Sequence, residues 1–194
     1  MHTIVSWVAR TFAILGGLVL SALIVLTCLS IVGRAANSML HGELVQSYMP
    51  EFAGVLIGTG VGAINGDFEL VEAGMAFAIF AFLPLCQLSG AHASVDVFTA
   101  RLPLRINAVL RLCIEIVFAL TMVLIAVQLF SGMQSKHASG QTTLLLQFPV
   151  WWGYALCVPG AIAAALVAVH IAVSRFIEVT TGRTVLPSEV EASH

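Results

Sequence analysis

The stretch at positions 66–103 constrains the fold of this chain more than any other part of the sequence. It begins with three acids, Asp67, Glu69 and Glu72, and continues as an uncharged apolar run at positions 73–91. A polar hinge and a basic segment follow this run. An apolar run of bilayer length between an acidic and a basic flank is typical of one membrane crossing with a defined direction. The other apolar runs can be oriented from this crossing.

The composition is that of a membrane protein. Hydrophobic residues make up 59% of the 194 residues and charged residues only 9%, and the mean hydropathy is +1.01. Soluble domains carry about 25% charged residues. The formal net charge of -2 and the pI near 6.3 give no indication of a nucleic-acid partner.

Four apolar runs predict an all-α membrane protein with four transmembrane helices. We predict a membrane domain at positions 1–176 and a flexible cytoplasmic tail at positions 177–194. The predicted helices cover positions 11–32, 68–89, 106–131 and 149–174. A short interfacial segment at positions 92–105 is expected between helices two and three. The first run is too long for the core of a typical signal peptide, so we interpret it as a retained crossing.

The connection at positions 34–66 is long and contains an apolar segment that is shorter than the four apolar runs. Its apolar part, FAGVLIGTGVGAI at positions 52–64, is too short to span a bilayer as a helix. Four glycines also disfavour a stable isolated helix there. Two interpretations remain at this point: an interfacial or re-entrant segment, or a loop packed on the protein surface.

The distribution of arginine and lysine predicts the orientation. Cytoplasmic flanks of membrane helices carry an excess of these residues. One side of the predicted bundle holds Arg10, Arg101, Arg105, Arg111, Arg175 and Arg183, and the other holds only Arg34 and Lys136. This asymmetry predicts that both termini lie in the cytoplasm and that the 34–66 and 131–149 connections face outward.

Two pairs of polar residues are candidates for a hinge or an ion pair. Glu115 lies about one turn inside predicted helix three, and Arg111 is four residues earlier on the same face. We favour a structural ion pair over a proton or ion site, although an intramembrane acid is a functional candidate. His92 and Asp96 are also four residues apart, and a hydrogen bond between them would fix the hinge after helix two.

The acids before helix two and the aromatic residues are candidates for contacts at the membrane boundary. Asp67, Glu69 and Glu72 suit the positive end of a helix dipole, and they also suit a basic surface of a partner. Glu69 and Glu72 have no evident partner in the neighbouring sequence. The predicted interfacial anchors are Trp7, Trp151, Trp152 and Tyr154.

The sequence predicts neither a metal site nor a cofactor site nor enzymatic activity. Each of the four cysteines stands alone in an apolar run, without the spacing of a zinc site. His170 has no second histidine at a matching depth, as a haem with two axial histidines requires. No Ser/His/Asp set, phosphate-binding loop or dinucleotide motif is present.

Several segments of the chain resemble the small membrane subunit, of DctQ type, of tripartite ATP-independent periplasmic (TRAP) transporters. These are the acid-rich helix start FELVEAG, the hinge GAHASVD, the RLP that follows it, and TTLLLQFPVWWGY before the last helix. The resemblance covers positions 11–175. The connection at positions 37–66 is longer than in the shorter members of the family.

The resemblance implies partners rather than a reaction. In this family a large multi-helix permease subunit carries the substrate and sodium, and a soluble periplasmic protein captures an organic anion, often a carboxylate. The small subunit braces the large one in the bacterial inner membrane and helps to dock the binding protein. Two alternatives are a membrane-anchor subunit of a respiratory enzyme and a self-sufficient small transporter that forms by oligomerisation.

Overall fold

The computed structural model describes residues 2–48, 50–58, 60–89 and 104–181. Within these ranges the chain is helical and contains no β-strand, which confirms the predicted all-α fold. The six helices are α1 His2–Leu40, α2 Glu43–Tyr48, α3 Pro50–Gly58, α4 Asp67–Leu88, α5 Leu104–Ser139 and α6 Trp151–Thr181.

Four of these helices, α1, α4, α5 and α6, are long and apolar enough to cross a membrane, as the apolar runs predict. Helices α1 and α5 have 39 and 36 residues, whereas a crossing needs about 20. Both therefore continue well beyond their predicted ends at positions 32 and 131. The reason is physical: charged residues end the apolar run, but no proline at positions 33–40 or 132–139 interrupts the helix.

The four long helices pack in the order α1, α4, α6, α5, so that α6 is central. Helix α6 packs against both α4 and α5, and α4 also packs against α1, whereas α4 and α5 make little contact with each other. Twelve residues of α6 are buried, and most of them are alanine or another small residue. Small side chains let neighbouring helices approach closely in a membrane protein. Helices α1 and α5 consequently leave most of their apolar surface uncovered.

A proline in α4 and a glycine in α6 meet where these two helices cross. Pro84 has no N–H, so the carbonyl of Phe80, four residues earlier, lacks its usual donor within the helix. Gly160 of α6 lies against this carbonyl: a Cβ added at Gly160 would be 2.8 Å from the Phe80 oxygen. Pro84 is buried at this crossing, and α4 continues to Leu88. A proline inside a membrane helix either bends the helix or is accommodated by a neighbouring helix. Here the neighbouring helix α6 accommodates it.

The connection between α1 and α4 contains two short helices instead of an irregular loop. Helix α3 packs against α1 and α2, and its residue Ala53 is fully buried. The connection from position 60 then turns towards α4. Its last residue is Gly66, whose positive φ of 77° is a conformation that glycine adopts readily. Positions 50–58 form a helix that packs on the protein, and the choice between an interfacial segment and a surface-packed one stays open.

The connection between α5 and α6 is a short hairpin at positions 140–150. The backbone N–H of Thr143 donates to the Phe148 carbonyl at 2.9 Å, and that of Val150 donates to the Gln141 carbonyl at 3.0 Å. Pro149 was predicted to begin the last helix, but it belongs to this hairpin, and its carbonyl accepts the N–H of Trp152. We call the end of the molecule that carries the 41–66 connection and this hairpin the loop end.

The predicted interfacial segment and tail lie mainly outside the described residues. Positions 92–103 of the interfacial segment are not described, and its last two residues already belong to α5. Helix α6 continues to Thr181, so positions 177–181 of the predicted tail are helical. The remaining tail, positions 182–194, is outside the described part of the chain.

Candidate functional site

Asp67, the first residue of α4, ties this helix to α1 at the loop end. The hydroxyl of Ser30, which is fully buried in α1, donates a hydrogen bond to Asp67 Oδ2 and accepts one from the backbone N–H of Ile64 at 3.3 Å. The guanidinium of Arg34, one turn further along α1, is 3.5 Å from the same carboxylate oxygen. Because Arg34 is largely exposed, water screens this ion pair, and the buried hydroxyl contact is the stronger structural tie.

Glu69 holds the α5–α6 hairpin onto α4. Its side chain is only 5% exposed, and its two carboxylate oxygens accept the backbone N–H groups of Leu145 at 2.7 Å and Leu146 at 2.9 Å. Leu146 also packs directly on Gly66, where a Cβ would collide with it. The neighbouring sequence holds no evident partner for Glu69, and the structure supplies one from the hairpin, 76 residues away. Two main-chain donors satisfy its charge, and hydrogen bonds to an ionised group are among the stronger ones.

Glu72 lies three residues after Glu69, but it differs from Glu69 in its exposure and in its contacts. Its side chain is exposed, and within the described residues its carboxylate has no hydrogen-bond or ion-pair partner. An acid without a partner persists where it meets water or a cationic group. Of the three acids proposed to contact a partner, Glu72 is the one that keeps a free carboxylate, and contact with a partner stays a prediction.

A cavity of about 290 Å³ lies between α4, α5, α6 and the hairpin, directly below Glu69 and Glu72. Ala76 and Phe80 of α4, Leu129 of α5 and Cys157 of α6 give it mainly apolar walls. The aliphatic and aromatic walls make it suitable for an apolar group, and the two acids place negative charge at one end.

Gln87 and Glu115 link α4 and α5 near the other end of the molecule. The Gln87 amide donates a hydrogen bond to Glu115 Oε2 at 3.0 Å, and Gln87 is only 5% exposed. This contact gives Glu115 a structural partner, Gln87, that the sequence did not suggest. The ion pair between Glu115 and Arg111, one turn earlier on α5, stays a prediction.

The predicted aromatic anchors lie at both ends of the long helices. Trp7 is near the start of α1 and is 69% exposed. At the loop end, the Trp151 ring meets the rings of His137 and Trp152 edge to face, at centroid distances of 5.1 Å and 6.3 Å. Tyr154 packs against Gly132 of α5. Exposed tryptophans at helix ends suit the headgroup layer, and their anchoring role stays a prediction.

Two further candidates, His92 and Asp96, lie outside the described residues. In the described part of the chain, no group of three or more histidine, cysteine, aspartate or glutamate side chains is placed to hold a metal ion.

The comparison with known protein families identifies the chain. The family model described as "Tripartite ATP-independent periplasmic transporters, DctQ component" matches residues 59–180, more than half of the sequence. The chain belongs to the DctQ family. It is therefore a small permease component of a TRAP transporter, a transport subunit and not an enzyme, and a multi-pass protein of the inner membrane. No curated protein and no solved structure matches the chain.

The DctQ match begins after α3 and takes in α4, α5 and nearly all of α6. The Glu69 contact, the cavity and the Gln87–Glu115 hydrogen bond all lie within the matched residues. The Ser30–Asp67 contact joins the matched region to α1, which precedes it.

Two structural residues of this DctQ protein, Ser30 and Gln87, were missed by the sequence analysis. Both are polar residues inside largely apolar runs, and both are buried. That position is itself a signal, because a polar side chain in a membrane helix requires a hydrogen-bond partner. The partner itself could not be identified, since Asp67 and Glu115 lie 37 and 28 residues away in the chain.

Proposed function

We propose that this chain braces the large transport subunit of a sodium-coupled TRAP transporter in the inner membrane. The transporter imports an organic anion, in our proposal a carboxylate, and the chain helps to dock the periplasmic binding protein. Membership of the DctQ family carries this proposal, because that family is a component of tripartite transporters. The structure supports a bracing role through the way in which it distributes buried and exposed surface.

Helix α6 is covered by its neighbours, whereas α1 and α5 present long apolar faces that the chain does not cover. Exposed residues on these faces include Leu18, Val25 and Leu29 of α1 and Val117 and Leu120 of α5. Such faces must be covered by lipid or by another membrane protein. The two outer helices therefore offer the large subunit more uncovered apolar surface than the central helix, which still exposes residues such as Leu156 and Leu166.

We place the predicted docking of the binding protein at the loop end, which the arginine and lysine asymmetry orients towards the periplasm. The short helices α2 and α3 add exposed surface there, including Tyr48 at 82% and Val55 at 68% exposure. These residues extend the loop end beyond the four long helices. A soluble partner can reach this surface without entering the bilayer.

Co-purification and thermal stability test the bracing role. The affinity-tagged full chain, extracted from its native membranes in a mild detergent, is expected to bring a large multi-helix permease at a ratio of one to one. The melting temperature of the chain in this complex should exceed that of the isolated chain, because the partner covers apolar surface. Equal melting temperatures with and without the large subunit would contradict bracing.

A further inference from the structure

The cavity below Glu72 has the depth of a chain-like ligand. Five residues of α4 line it, and Leu129 of α5, three residues of the hairpin and three of α6 complete the lining. From Glu72 to Phe80 the cavity follows eight residues of α4, or about 12 Å at the helical rise of 1.5 Å per residue. Because α4 and α5 make little contact with each other, packing between these two helices does not close the cavity.

Polar groups are concentrated at one end of this cavity. The exposed Glu72 carboxylate has no hydrogen-bond or ion-pair partner in the described chain. The hydroxyl of Thr143 lies beside the Glu69 carboxylate, and its oxygen is buried without a well-formed hydrogen bond among the described residues. Tyr154, beside the aromatic residues of the loop end, contributes a second hydroxyl group. Because these groups lie near the loop end of the long helices, their polarity suits the headgroup layer, and the apolar walls suit the acyl region.

We propose that this cavity binds one phospholipid with a primary-amine headgroup, of which phosphatidylethanolamine is the example. The ammonium group lies at the Glu72 carboxylate, where it supplies a positive charge to pair with the acid and up to three N–H donors. The phosphate oxygens accept a hydrogen bond from the Tyr154 hydroxyl. One acyl chain enters between α4 and α5 and lies along Ala76 and Phe80. The proposal gives Glu72 a lipid instead of the protein contact predicted from the sequence.

The shape and charge of the cavity favour this lipid over the other candidates. A lysine side chain of a partner protein has a stem of only four carbons and would leave the lower part of the cavity empty. An anionic lipid would bring a net negative charge to Glu69 and Glu72. Phosphatidylcholine carries the positive charge but has no N–H group to donate to the carboxylate.

Native mass spectrometry of the full chain tests the lipid site. The protein is reconstituted with equal parts of phosphatidylethanolamine, phosphatidylcholine and phosphatidylglycerol, released into detergent, and weighed with the lipid that it retains. We expect one retained phosphatidylethanolamine per chain, preferred over phosphatidylcholine by up to about fivefold, which is what the net gain of one hydrogen bond supports. Glu72→Gln should remove this preference, whereas the control Glu51→Gln, an exposed acid on α3, should retain it.

A second variant, Ala76→Phe, fills the cavity and should abolish retention of any lipid at this ratio. If it does not fold, the lipid preference of Glu72→Gln decides alone. The proposal is overturned if the parent retains no lipid, or if both variants retain phosphatidylethanolamine as the parent does. A diazirine amino acid at Ala76 in native membranes distinguishes the occupants: a lipid adduct supports the proposal, and an adduct with a protein contradicts it.

Discussion

The carboxylate of Glu69 accepts the backbone N–H of Leu145 at 2.7 Å, although 76 positions of the chain separate the two residues. Together with the N–H of Leu146, this contact fixes the α5–α6 hairpin on the first turn of α4. The hairpin in turn lines part of the cavity. A buried carboxylate thus organises the loop end, whereas the exposed Glu72, one turn away, is left for an external ligand.

Replacement of Glu69 by glutamine tests this structural role. Glu69→Gln keeps the size of the side chain but removes the charge and leaves one carbonyl oxygen for two N–H donors. We expect the melting temperature of the purified chain to fall by about 3–6 °C. The matched control is Glu72→Gln, which changes an exposed acid on the same helix and should leave the melting temperature of the chain unchanged in lipid-free detergent. Equal falls in the two variants would show that Glu69 is not the anchor.

The crossing of α4 and α6 gives a second prediction. Gly160→Ala places a methyl group 2.8 Å from the carbonyl oxygen of Phe80, so the two helices must move apart. We expect a loss of about 1–3 kcal/mol in the free energy of unfolding, measured by denaturant titration in detergent. Gly17→Ala on α1 is the control, because nothing lies within 4 Å of its added Cβ. It should be neutral or stabilising, by up to about 1 kcal/mol. A neutral Gly160→Ala would mean that this crossing is loosely packed.

The prediction that Glu115 is structural, and not an ion or proton site, is tested by transport. Glu115→Gln keeps an oxygen that can accept the hydrogen bond from Gln87, so both the contact and the volume are retained. We expect sodium-driven uptake by the assembled transporter to stay within about twofold of the parent, because the Glu115 charge has no part in transport in this account. Uptake should also keep its dependence on pH and sodium. A change in either dependence, with assembly intact, would assign Glu115 to ion translocation instead.

The sequence predicted the four crossings because the apolar core of a bilayer requires a long run without charge, and such a run is visible in the sequence itself. It placed the ends of α1 and α5 too early, since a helix continues in water as long as its hydrogen bonds and side chains permit. The order in which the helices pack was not predictable from periodicity. All four runs are apolar on most of their faces, so only the small residues of α6 distinguish the central helix.

The sequence identified the three acids of the candidate site but not the role of each. Asp67, Glu69 and Glu72 stand out in an apolar chain, yet one is tied to a serine, one to main-chain amides and one remains exposed. Every residue except proline has a backbone N–H, so no sequence pattern could identify Leu145 as a partner. The hairpin geometry that aims this N–H at Glu69 depends on tertiary packing, including the contact of Leu146 with Gly66.

The orientation of the chain is a prediction that labelling from one side of the membrane can test. The arginine and lysine asymmetry places the hairpin outside and both termini inside. A membrane-impermeant maleimide added to intact spheroplasts should therefore label Ser139→Cys, an exposed position at the end of α5. It should label Ser188→Cys only after the membrane is opened, and the parent chain with its four cysteines gives the background. Labelling of Ser188→Cys in intact spheroplasts would reverse the orientation.

Reconstitution tests the central claim, that this chain supports transport by a larger subunit and does not transport by itself. Liposomes are prepared with the chain alone, with the large subunit alone, or with both. Uptake of a labelled organic acid is then measured with a sodium gradient and the binding protein present. The account predicts uptake only when both membrane subunits are present. Uptake by the chain alone, or equal uptake by the large subunit without it, would contradict the account.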